Sequence, residues 1–176
     1  QTCALPISLL RKLVNPDGKR LCGISWRSKN IKKGEDRSLP LVEMLQALAH
    51  PAIRFVNLQY GDVQEELLEV QQALGIEVIQ CSEVDNRSDL DGLAALVQAC
   101  DCVISADNST VHLAGALGQT VWILLPFNAD WRWGLNSADS LWYPSAKLYR
   151  QTQLNNWQDV LSRVSDSLMK RCDGEH

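Results

Sequence analysis

Five short apolar runs punctuate the chain: Arg20 to Trp26 (RLCGISW), Ile53 to Gln59 (IRFVNLQ), Ile76 to Gln80 (IEVIQ), Asp101 to Ala106 (DCVISA) and Thr120 to Leu125 (TVWILL). Runs this short and this apolar fit strands buried on both faces, as in a parallel sheet. Between them lie segments whose apolar residues recur at three and four positions, starting at Leu41, Val63, Asp89 and Asn108. These read as crossover helices. Pro51 follows the first helix, and Gly75 and Gly118 stand where helices end on a left-handed residue. A sixth strand, KLYRQ from Lys147, and an amphipathic helix, Trp157 to Cys172, close the chain. Alternation of this kind predicts an α/β fold, a doubly wound Rossmann-like parallel sheet of about six strands with right-handed crossovers.

With 176 residues, 45% of them hydrophobic and 22% charged, the chain is of the size and composition of one core-forming domain. A net charge of -4 offers no basic footprint for nucleic acid. No run reaches the roughly 18 apolar residues of a transmembrane segment. Residues 1–19 lack a basic stretch ahead of their apolar patch, so they read as a cut edge or linker from a missing N-terminal region rather than a secretory signal. Residues 20–172 form the expected domain and 173–176 a tail. The six cysteines include no C-x-x-C pair and mostly sit in apolar runs, which suits reduced core thiols and a cytoplasmic setting.

In the common doubly wound order 3-2-1-4-5-6, ligands bind beyond the strand carboxyl ends where the order reverses, between the first and fourth strands. The loops after Trp26 and after Ala106 should face each other there. The first, RSKNIKKGEDRSLP, is cationic, with Arg27, Lys29, Lys32, Lys33 and Arg37; the second, DNST, opens a helix. A helix N-terminus has unpaired N–H groups and partial positive charge, so a phosphate suits it, and Asn108, Ser109 and Thr110 would add donors. Plain capping by Asp107 or Asn108 accounts for the same residues. His112, in the first helical turn or so, reads either as a packed histidine or as a donor to phosphate oxygen. No G-x-G-x-x-G, P-loop or G-x-S-x-G motif occurs, and no His/Cys cluster calls for zinc. The acidic run from Asp85 to Gly92 lacks the glycine spacing of a calcium loop, and capping by Ser88 or Asp89 explains it.

Taken in order, GISWRSKN, RSLPL, RFVNLQYGD, DLDGLAALVQACDCVISADNSTVHLAGALG, LLPFNADWRW and WYPSAKLYRQ resemble the C-terminal domain of glycosyltransferase family 9, over about Arg20 to Gln151. The likeness is to the version found in bacterial tetratricopeptide-repeat proteins, related to ADP-heptose:lipopolysaccharide heptosyltransferases. This implies the C-terminal half of a GT-B fold, which holds the nucleotide-sugar donor and needs no cofactor or metal. The family's Asp-Thr-Gly-x-x-His motif on the donor phosphates is matched by Asp107, Asn108, Ser109 and His112, with Asn and Ser standing where the family has Thr and Gly. Its lysine after the first strand corresponds to Lys29 or Lys32, and its acidic ribose contact to Asp62 or Glu65, beside Gln59 and Tyr60. The base contact falls on Ser88, Asp89 and Leu90, and Trp26 and Thr110 complete the expected site.

The Trp-rich loop from Phe127 to Trp133 is read either as packing over the sheet end or as a sugar-stacking surface. The resemblance implies that acceptor and catalytic base come from the other half of the GT-B fold, so no general base is named. The expected partners are a nucleotide-diphosphate sugar and that N-terminal Rossmann-like half. The rival class is a non-catalytic nucleotide-binding or scaffold module beside tetratricopeptide repeats; a nicotinamide oxidoreductase is disfavoured by the missing glycines.

Overall fold

The computed structural model describes residues 5–15, 17–28, 36–135 and 137–173. Six strands form one all-parallel sheet in the order β3-β2-β1-β4-β5-β6: β1 Arg20–Ser25, β2 Ile53–Asn57, β3 Val78–Ile79, β4 Cys102–Ala106, β5 Val121–Leu125 and β6 Ala146–Arg150. The expected reversal between β1 and β4 is present, with Ser25 in register with Ser105 at its carboxyl end.

The helices are α1 Ile7–Val14, α2 Leu41–Leu48, α3 Gln64–Leu74, α4 Leu90–Ala99, α5 Ser109–Ala116 and α6 Trp157–Asp173. Each face of the sheet has its own core. One gathers α2 and α6 over Ile24, Phe55, Ile104 and Trp122; the other gathers α1, α4 and α5 over Leu21, Val56, Val103 and Ile123. Period-two alternation along buried strands sends neighbouring side chains to opposite cores, which is why nearly every strand residue had to be apolar. Gly75 and Gly118, at φ 67° and 69°, close α3 and follow α5 in the left-handed conformation that L side chains rarely adopt.

Two differences from the sequence reading are local. The third strand shortens from Ile76–Gln80 to Val78–Ile79, at the sheet edge where pairing is available on one side only. Within the stretch read as a linker, Ile7–Val14 is helical and buries Leu10 and Val14 in the second core. Arg11 ties it down through Asp101, Nη2 to Oδ1 2.8 Å, and through the Ala99 carbonyl. Among the described residues, Cys22, Cys81, Cys100, Cys102 and Cys172 form no disulfide, and Cys22, Cys100 and Cys102 are buried.

Candidate functional site at the sheet reversal

At the carboxyl ends of β1, β2 and β4 the polar side chains face inward first. Asn108 precedes α5 with extended backbone, and its Oδ1 accepts from Thr110 N at 2.9 Å, capping the helix. Its Nδ2 donates to Ser25 Oγ at 2.6 Å and to the Arg27 carbonyl at 3.1 Å. One amide therefore caps α5 and pins the exit of β1 to it. Gln59 plays the matching part from β2: its Oε1 accepts from Ser25 Oγ, Trp26 N and Arg27 N at 3.0, 3.1 and 3.0 Å. Asn86 joins the third loop by donating to the carbonyls of Asn57 and Gln59.

A second network lies beside the start of α5. Arg37 is 7% exposed and Asp107 1%; their Nη1 and Oδ2 lie 3.2 Å apart, a charge pair rather than an aligned hydrogen bond. The other Arg37 nitrogen lies 3.5 Å from Asp130, which also pairs with Arg132 at 3.3 Å. Arg132 Nη1 then approaches His112 Nε2 at 3.4 Å, while His112 Nδ1 meets Tyr143 Oη at 3.1 Å. Because a guanidinium can only donate, Nε2 must be the acceptor and Nδ1 the protonated nitrogen of a neutral ring. The imidazole is stacked on Trp133 at 5.3 Å between centroids. Tyr143 reaches it across Gly115, where a Cβ would collide with the Tyr143 ring.

Burial, and then the Arg132 charge, hold His112 below its usual value of about 6.5, against the smaller opposing pull of Asp107 and Asp130. The native state thus binds fewer protons at this position than the unfolded chain. Its contribution to stability is complete above about pH 6.5 and is lost as pH falls through the depressed folded-state value. NMR titration of the His112 ring should give a midpoint below 6.5 in the free protein, moving up when a polyphosphate anion binds alongside.

The sequence-expected residues divide by direction. Trp26, Gln59, Asn108 and Thr110 are buried. Trp26 Nε1 donates to Glu66 at 2.7 Å, and Glu66 in turn pairs with Arg27 at 3.0 Å. Arg27 also donates to the Asp62 carbonyl. Asp62, Ser109 and Leu90 lie exposed on the rim, and Asp89 caps α4 by accepting from Gly92 N at 2.9 Å. Lys29 and Lys32 lie outside the described residues. Asn57, Gln59, Asp62, Gln64, Gln80 and Asp85 line a polar cavity of about 160 Å³ between the ends of β2 and β3. Among the described residues no group of three or more His, Cys, Asp or Glu is placed to hold a metal ion, and no helix is long and apolar enough to cross a membrane.

Sequence reasoning did not single out Arg37's pairing with Asp107, or Tyr143 and Glu66. The first two left a trace in the sequence, a buried-type aspartate after an apolar strand and a tyrosine next to Trp142, but neither carries a partner's address.

No family model matches the chain. Protein FlbA of Caulobacter vibrioides is 34% identical over 147 residues, which is 83% of this chain and 24% of that protein. Among solved structures, the Escherichia coli ADP-heptose lipopolysaccharide heptosyltransferase II aligns over 97% of this chain and 53% of its own, with a TM-score of 0.59 at 16% identity. A family 9 glycosyltransferase from Veillonella parvula aligns over 99% and 52%, at 0.62 and 14%. The E. coli heptosyltransferase WaaC with ADP aligns over 100% and 51%, at 0.58 and 15%. The chain spans about half the length of these transferases and about a quarter of FlbA. Its fold is that of one GT-B-type half of a family 9 glycosyltransferase.

Proposed function

We propose that this chain is the donor-binding, C-terminal half of an inverting glycosyltransferase that uses a nucleotide-diphosphate sugar without an obligatory metal. The observation that carries the reading is the Asn108-centred junction, which fixes the N-terminus of α5 against the exit of β1. Thr110 N is taken by the cap, and the remaining first-turn N–H groups, with the exposed Ser109 hydroxyl, are offered to a diphosphate. Lys29 or Lys32, in the loop after β1, would supply charge; Arg27 flanks them, oriented by Glu66. The cavity between β2 and β3, which Asp62 lines, would take the ribose, and Asp89 and Leu90 at the start of α4 would contact the base. Two of the solved neighbours hold ADP and ADP-2-deoxy-2-fluoro heptose, which supports a ligand of this class.

The chain's part in transfer is electrostatic. As the glycosidic bond breaks, negative charge grows on the departing diphosphate, and oriented N–H groups, hydroxyls and cations meet it without a divalent ion. The base and acceptor would come from a second, N-terminal half, so this chain alone binds a donor weakly and transfers no sugar. A second reading, a nucleotide-binding or scaffold module beside tetratricopeptide repeats, is favoured by the inward commitment of Asn108 and Gln59, whose bonds would hold the loops in place with no ligand.

Calorimetry with a panel of nucleoside diphosphates separates a nucleotide site from a pure scaffold. Binding of at least one is expected, and Ser109→Asp should weaken it about tenfold or more by placing a carboxylate beside the phosphates. Because Ser109 is exposed and Asp is well tolerated in a first helical turn, thermal stability should stay the same. No binding by any nucleotide would leave the scaffold reading standing, and equal binding by Ser109→Asp would remove the phosphate from α5.

A further inference from the structure

The loop between β5 and β6 separates its tryptophans. Trp133 is 2% exposed and packs on His112, whereas Trp131 is 79% and Trp142 59% exposed. The two exposed indoles stand nearly at right angles, 76° between planes and 6.4 Å between centroids. Neither is held there by burial. Trp142 Nε1 donates to the Arg132 carbonyl at 3.0 Å, and Trp131 begins a one-turn 3₁₀ helix, Trp131–Trp133, whose start is capped by Asp130. The corner is thus tied to the backbone of the residue whose guanidinium approaches His112.

We propose that Trp131 and Trp142 form a saccharide-binding corner in which a pyranose ring lies against one indole and abuts the other. Two exposed indoles set nearly at a right angle offer one ring to the C–H face of a pyranose and the other to its edge. Hydroxyls need hydrogen-bonding groups near the platform, and the residues on either side of Trp131 in the chain, Asp130 and Arg132, carry a carboxylate and a guanidinium that pair with each other at 3.3 Å. Immobilised indoles bind with little loss of conformational freedom, which suits a weak, exposed ligand. The sugar's source rests on the transferase reading: it is either the glycosyl group of the donor or an acceptor saccharide, the shared chemistry being the pyranose ring.

The test follows the indole N–H resonances of the full chain during titration with free hexoses, N-acetylhexosamines and short oligosaccharides, with nucleotide-sugars, and with the matching nucleoside diphosphates. Saccharide-bearing ligands should shift the Trp131 and Trp142 signals, and nucleoside diphosphates alone should leave them in place. A shift with free saccharide assigns the corner to an acceptor, and one confined to nucleotide-sugars assigns it to the donor's glycosyl group. Trp131→Ala, at an exposed position, should keep the fold and lose about tenfold in saccharide affinity. Its nucleoside diphosphate affinity should not change, so a failed donor site and a failed sugar corner give different results. Indole signals that no saccharide moves, unchanged saccharide affinity in Trp131→Ala, or burial of both indoles in a concentration-dependent dimer would each overturn the proposal.

Discussion

Replacing Arg37 with methionine is expected to lower the stability of the fold by about 3–5 kcal/mol, the range for removing one partner of a buried ion pair. Asp107 is 1% exposed and would keep a charge with Arg37 gone from its side. Asp130 would retain Arg132 as a partner, so the loss concentrates on Asp107. Urea unfolding of Arg37→Met checks this, and the double variant Arg37→Met with Asp107→Leu should recover a large part of the loss because no buried charge then remains. A loss below about 1 kcal/mol in the single variant would mean that the Arg37–Asp107 pair contributes no more than a solvent-exposed one.

Asn108→Leu should be nearly as damaging, by about 2–4 kcal/mol, although the residues are similar in size. The substitution removes the α5 cap and leaves Thr110 N and the Arg27 carbonyl without their partners, each a buried or half-buried polar group. Ser25 Oγ and Ser105 Oγ keep alternatives in Gln59 and the Ala106 carbonyl, which bounds the loss. For a chain of this length the melting temperature should fall by roughly 6–12 °C. Asn108→Asp is the informative companion. It preserves the cap but turns a donor into a carboxylate oxygen facing the Arg27 carbonyl, so it too should destabilise. If Asn108→Asp were as stable as the parent, the link to β1 would carry no weight and only the cap would matter.

The fold was readable because its signal repeats. Each strand from β1 to β6 needed side chains for two cores, each crossover helix needed one apolar face, and glycine was required where α3 ended on a left-handed residue. The reversal between β1 and β4 follows from the common doubly wound strand order rather than from any residue pattern, and the sheet has that order. Helix α1 escaped it: eight residues with two buried positions, Leu10 and Val14, are too brief for a periodic pattern. The strand at Val78–Ile79 was overestimated for the opposite reason, since Ile76 extends the apolar pattern before the point where the edge strand finds a partner.

The polar residues were harder to read. Asn108 and Gln59 were expected at a ligand, and the structure shows them bonded to Ser25 and to the backbone of residues 26 and 27, because their type is equally suited to a ligand and to a backbone group. Short-range order in the amino-acid sequence determined the strands, the crossovers and the cap before α5, because propensity and burial act on neighbours along the chain. Only the tertiary structure decided which donors turn inward, as when Asn108 Nδ2 meets Ser25 and Arg27 more than 80 residues away. It alone paired Arg37 with Asp107, set His112 between Tyr143 and Arg132, and divided buried Trp133 from exposed Trp131. Hydrogen bonds and ion pairs depend on distances of a few tenths of an ångström between remote segments, and residue identity carries no such distance.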